Sequence, residues 1–127
     1  MTNDTAKKFT KRSLPRDVRQ VVQVSQDKKA ADILILDLRE LTSFTDFFVI
    51  MTGNSSRQNV AITESIEQDL KRNRTRPLGV EGRELAEWIL MDYGSFVVHV
   101  FSQRAREYYS LERLWGDAPK VAYAENA

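Results

Sequence analysis

The side chains in this sequence with the types and spacing for chemistry are a scatter of acids, one histidine and a short glycine–serine turn. Two-metal nucleotidyl transfer needs carboxylates that converge from neighbouring strand positions. The only acids two positions apart are Glu67 and Asp69, and both fall in a segment patterned as a helix. A two-residue step there turns them about 200° apart, so they cannot share a metal ion. Asp37, Asp46, Glu81 and Asp92 each fall near the end of an expected strand, but nothing in the spacing gathers them. The turn TGNSS at residues 52 to 56 stands between a strand and a capped helix, where backbone N–H groups and the helix dipole favour a phosphate. It matches neither the dinucleotide fingerprint nor a P-loop, and an ordinary strand-to-helix connection with a cap accounts for it better. His99 is the single histidine and there is no cysteine, which excludes disulfides, thiol nucleophiles and the usual zinc and iron–sulfur sites. Alternation places His99 on the strand face of Val97 and Phe101, as a half-buried structural residue rather than a general base. No serine sits in a nucleophile elbow. The expectation is no catalytic residue, no metal and no cofactor.

Two features point instead to binding. Lys71, Arg72, Arg74 and Arg76 form a basic cluster with no acid between Leu70 and Val80, suited to contact with RNA or phosphate. Cations at a helix C-terminus also complement the helix dipole, and both readings stand. The stretch WILMDYGSFVVHVF at residues 88 to 101 reads as two strands joined at Gly94 and Ser95. In the first of these strands Trp88, Leu90 and Asp92 share one face, and Ile89, Met91 and Tyr93 the other. Either set can be the core. Large aromatics beside a lone acid and a turn resemble interface anchors more than a substrate pocket, although an ordinary division between core and rim fits too.

The elements that must position these residues come from one domain's worth of chain, 127 residues with 29% charged and 42% apolar side chains. A formal net charge of +1 gives no global attraction to nucleic acid or acidic membranes. No apolar run approaches the roughly 20 residues needed to span a bilayer, and the N-terminus has no apolar segment of a secretory signal. Residues 1 to 13 read as a flexible basic arm with Lys7, Lys8, Lys11 and Arg12. Val18, Val21 and Val22 space a helix behind Pro15. Residues 32 to 38 and 46 to 53 are apolar at nearly every position, the pattern of strands covered on both faces. A helix follows from residue 55, with Ser55 and Gln58 at capping-box spacing and Ile62, Ile66 and Leu70 on one stripe. A short strand is expected over 78 to 81, then the two strands of the WILMDYGSFVVHVF stretch. One last helix carries Ala105, Tyr108, Leu111 and Trp115 along a face and stops at Gly116. Residues 118 to 127 read as a flexible tail. The order implies an α/β fold over 14 to 117, with helices flanking a mixed sheet of about five strands.

In series, ADILILDLRELTSFTDFFVIMTGNSSRQ, RPLGVEG, WILMDYGSFVVHVF and YYSLERLWGDAP closely resemble the ribosomal silencing factor family, also called Iojap-like. The resemblance runs from about residue 16 to residue 121 without a large gap. It implies a non-enzymatic translation repressor with a nucleotidyltransferase-like fold that lacks the catalytic carboxylates. Members bind the large ribosomal subunit through ribosomal protein L-fourteen and block joining of the small subunit under nutrient limitation or in stationary phase. They are often homodimers when free. By position, the implied partner-binding residues are Trp88, Leu90, Met91, Asp92 and Tyr93, with Val80, Glu81 and Gly82 as a rim. Tyr108, Tyr109 and Trp115 match family positions too, but helical spacing explains them as packing. Ser95 departs from the acid that relatives commonly carry after the glycine, and the arm lies outside the match. The lack of cysteine fits a reducing compartment, and the short arm with Asp4 suits the bacterial cytoplasm better than a transit peptide.

Overall fold

The computed structural model describes residues 14 to 122. The arm expected over 1 to 13, and residues 123 to 127 of the expected tail, lie outside them.

Pro15 introduces α1 (Arg16–Asp27), which turns Val18, Val21 and Val22 inward and ties off Ser25 by donating its hydroxyl to the Val21 carbonyl. Strands β1 (Ala31–Asp37) and β2 (Phe47–Gly53) follow and pair antiparallel. Ser55 then starts α2 (Ser56–Lys71), its hydroxyl accepting from the Gln58 amide. The return bond of the expected capping box shifts by one residue: Gln58 Oε1 accepts from the Asn54 amide at 2.5 Å. Next come β3 (Gly79–Glu81), β4 (Trp88–Asp92), β5 (Phe96–Ser102), α3 (Gln103–Tyr109), α4 (Leu111–Leu114) and β6 (Lys120–Ala122).

The strands form one sheet in the order β3-β4-β5-β2-β1-β6. Among the described strands only β2 and β5 pair in parallel; such a pair needs a long crossover, supplied by α2 and the β3–β4 pair. The sheet is mixed, as its sequence pattern predicts, with six strands rather than about five. The sixth arises where a frayed tail was expected. Residues 120 to 122 have no strong strand pattern, but β1 offers an open edge, and Leu34, Ile35 and Leu36 pair with Ala122, Val121 and Lys120.

Alternation divides the strand side chains between two cores. One face is sealed by α1 and α2, where Ile62, Ile66 and Leu70 meet Val49, Met51, Ile89, Met91, Val98 and Val100. Each such fully buried aliphatic side chain contributes roughly 1.5–3 kcal/mol relative to exposure. The other face carries Leu36, Phe48, Ile50, Val97 and Phe101 under Ala105 and Leu111. Its cover is thinner, because the expected single C-terminal helix is two short ones. Ser110 breaks it with left-handed backbone, φ 46°, and the change of direction buries Leu111 while leaving Tyr108 79% exposed. Tyr108 is therefore not on the packing face that 3.6-residue spacing assigns to it.

Candidate partner-binding face

Strand register fixes which expected site residues stand together. Leu90 lies opposite Glu81 on one side and His99 on the other, while Trp88 lies opposite Phe101 and Asp92 opposite Val97. Directly opposed residues share a sheet face, so Glu81, Trp88, Leu90 and Asp92 all belong to the face that α1 and α2 leave uncovered. Glu81 is exposed and the other three are half-buried. Met91 and Tyr93 depart from this set. Met91 is fully buried against the helices, a consequence of the two-residue period of the strand. Tyr93 stacks on Phe96 at 4.9 Å on the helix side. Its buried hydroxyl has no hydrogen-bond partner among the described residues. Burial, with Glu67 and Asp17 nearby, raises its pKa further above the usual phenol range. Neither side chain is placed for a contact on the Trp88 face.

Trp88 is the centre of an aromatic seam. Its ring centroid is 4.5 Å from Tyr109, 5.1 Å from Phe101 and 5.9 Å from His99. His99 in turn meets Phe48 edge-on at 4.4 Å, and Phe48 meets Trp115 at 5.9 Å. The Trp88 indole Nε1–H donates to His99 Nδ1 at 3.0 Å. His99 is 3% exposed, more deeply placed than the half-burial expected of it, and burial lowers its pKa to about 3. It is a neutral structural acceptor at physiological pH, not a general base.

The surrounding turns hold this face in shape. Asp92 Oδ1 accepts from the Gly94 amide at 2.8 Å, so its carboxylate serves the β4–β5 turn as well as the surface. Gly82 has φ +91°, and a Cβ there would lie 2.1 Å from the Trp88 carbonyl oxygen. Only glycine allows the backbone before β4 to lie so close to the strand. Val80 faces the helices opposite Met91, so of the expected rim only Glu81 presents a side chain to the Trp88 face.

Lys71, Arg72, Arg74 and Arg76 lie at the end of α2 and in the segment leading to β3, all of them exposed. Arg72 is paired with Asp69 at 3.3 Å, and Lys71 and Arg76 border a groove that also contains Glu64, Glu67 and Arg83. The cluster is real but partly balanced by acids that lie upstream on α2. Among the described residues no group of three or more His, Asp or Glu side chains is placed to hold a metal ion. Asp37 is occupied by Arg39, which donates from Nε at 2.9 Å and Nη2 at 2.7 Å. In the glycine–serine turn, Ser55 and Gln58 cap α2, and Asn59 donates to the Ala86 carbonyl at 2.8 Å, so these polar groups serve the connection itself. No helix among the described residues is long and apolar enough to cross a membrane.

Sequence reasoning missed Tyr109 as part of this face. It is 48% exposed and packs at a tilt of 48° against the Trp88 ring, an arrangement set by the break at Ser110, for which serine gives no local signal.

Known proteins are similar to this chain in sequence and in fold. The model of the family described as "Ribosomal silencing factor during starvation" matches residues 11 to 127. Over 93 residues the sequence is 45% identical to the ribosomal silencing factor of Bacillus subtilis, covering 73% of this chain and 79% of that one. It is 30% identical over 102 residues to mouse "Mitochondrial assembly of ribosomal large subunit protein 1", covering 78% of this chain and 45% of the mouse protein. A crystal structure of a Chromobacterium violaceum protein superposes with a TM-score of 0.76 at 37% identity, covering 80% of this chain and 85% of that one.

Proposed function

The chain belongs to the ribosomal silencing factor family, and from that premise we propose that it binds the large ribosomal subunit, chiefly through ribosomal protein L-fourteen, and blocks joining of the small subunit. Translation would thereby be repressed under nutrient limitation or in stationary phase. The observation that carries this reading is the half-covered strip of Trp88 and Leu90 beside exposed Glu81 and Tyr109. An aromatic and aliphatic centre with an acidic rim has the composition of a protein-binding hot spot, and the acid complements a basic partner. Steric exclusion needs no chemistry from the bound protein. A standard interface of about 800 Å² per partner provides enough contact for specific binding, and the bulk of the domain then stands in the way of the small subunit.

The exposed cations at 71 to 76 are proposed to make a peripheral contact with ribosomal RNA, since the segment that carries them leads directly into β3 beside Leu90. The protein is proposed to act without a cofactor in the cytoplasm and to be a homodimer when free.

Sedimentation with isolated large subunits, followed by addition of small subunits, tests the proposal. Co-sedimentation with a reduced fraction of joined ribosomes is expected. Absence of binding, or binding with undiminished joining, would overturn it. Binding to naked ribosomal RNA that matches binding to intact subunits would favour an RNA-binding module instead.

A further inference from the structure

We propose that His99 is a positioning residue, whose Nδ1 holds the Trp88 indole in one orientation on the partner-binding face. The inference deepens the proposed function and rests on it for the identity of the partner. Trp88 is only half-buried, and a large side chain at such a place must be ordered when a partner binds unless the fold has ordered it already. The bond from Nε1–H to Nδ1 at 3.0 Å supplies that order. Its polarity is fixed, because an indole nitrogen only donates and an imidazole nitrogen accepts only when it carries no proton. The proton of neutral His99 must then sit on Nε2.

That requirement has a cost. Nε2 is buried with no hydrogen-bond partner among the described residues, and a buried polar group without a partner loses its hydration without compensation. The ring is otherwise surrounded by Phe48, Phe101 and Trp88. An apolar side chain would suit such surroundings better than imidazole. What imidazole adds is one acceptor aimed at the Trp88 N–H, which burial keeps available by holding the ring neutral. Because the indole N–H is engaged inside the protein, the partner meets the ring of Trp88 rather than its hydrogen-bond donor.

Two kinds of substitution separate orientation from packing. His99→Phe, with His99→Leu as a smaller apolar alternative, removes the acceptor and the orphaned Nε2. His99→Asn keeps an oxygen close to the position of Nδ1 but loses the ring. Three measurements apply to each variant: thermal stability, the NMR resonance and hydrogen exchange of the Trp88 indole N–H with Trp115 as internal reference, and affinity of the folded fraction for large subunits. The apolar variants are expected to melt at or above the wild-type temperature, to show a shifted and faster-exchanging Trp88 indole, and to bind at least 5-fold more weakly. The Asn variant is expected to melt lower and to bind within about 2-fold of wild type. An unmoved Trp88 indole in the apolar variants, or affinity that simply follows melting temperature across all three, would overturn the proposal. Failure of the wild-type protein to bind large subunits would instead overturn the proposed function, and the indole resonance would still decide whether His99 positions Trp88.

Discussion

Trp88 has two roles that a single truncation mixes. Its ring lies against Phe101 and Tyr109 while part of it remains open to a partner. Trp88→Ala is expected to weaken large-subunit binding more than 10-fold, over about 1.4 kcal/mol. It should also lower the melting temperature by several degrees, so affinity must be measured on the folded fraction. Met91, which the strand period turns inward, provides the contrast. Met91→Ala is expected to cost about 2–5 kcal/mol of stability, as core truncations do, without changing the affinity of what remains folded. Denaturant titration alongside subunit binding would separate the two residues; equal loss of affinity would mean that the assigned face is wrong. His99 gives the fold a pH dependence with a definite sign. Its folded pKa is lowered to about 3, whereas the unfolded side chain titrates near 6.5. Below about pH 6.5 the unfolded chain takes up a proton that the folded protein refuses, so stability falls toward pH 3 at up to about 1.4 kcal/mol per pH unit. Above that window the contribution is complete and flat. The stability of wild type relative to His99→Phe should therefore decline between pH 6.5 and 4, and a difference constant with pH would contradict the assignment.

The elements show where local sequence is decisive and where it is not. The Ser55 cap and the Ile62–Ile66–Leu70 stripe specify α2 by themselves, because both the cap and the 3.6-residue period are local. The break at Ser110 is different: its φ of 46° is adopted by a serine that has no strong preference for it. Ser110→Gly is expected to raise stability by up to about 1 kcal/mol, since glycine takes a left-handed position without strain. Ser110→Val should lower it, and both shifts are readable by thermal melting. If glycine destabilised the protein, backbone strain at the break would not be what limits it. Strand β6 is set by its neighbour rather than by its own residues. A chain ending at Pro119 should melt lower and aggregate with concentration, because β1 would then present an open edge.

At the scale of the whole molecule, charge matters locally rather than globally. With a net charge of only +1, any RNA contact must come from clusters such as Lys71, Arg72, Arg74 and Arg76. Replacing Lys71, Arg74 and Arg76 by alanine is expected to leave the fold intact and to flatten the salt dependence of large-subunit binding. The log–log slope should fall by roughly one unit for each phosphate that these side chains no longer neutralise. An unchanged slope would assign these cations to the helix dipole instead.

The sequence alone determined the apolar strands, the capped helix, the mixed sheet and the family resemblance, because each rests on local spacing or on motifs in series. It also placed Trp88, Leu90 and Asp92 on one strand face, since a period of two requires no knowledge of partners. Tertiary structure decided which face is the core. That depends on where α1 and α2 pack, and a strand apolar on both faces is silent about it. The same long-range packing turned the face of Met91 and Tyr93 toward the helices, brought Tyr109 to the Trp88 face, buried His99 more deeply than alternation implies, and recruited residues 120 to 122 to an edge left open by strands distant in sequence.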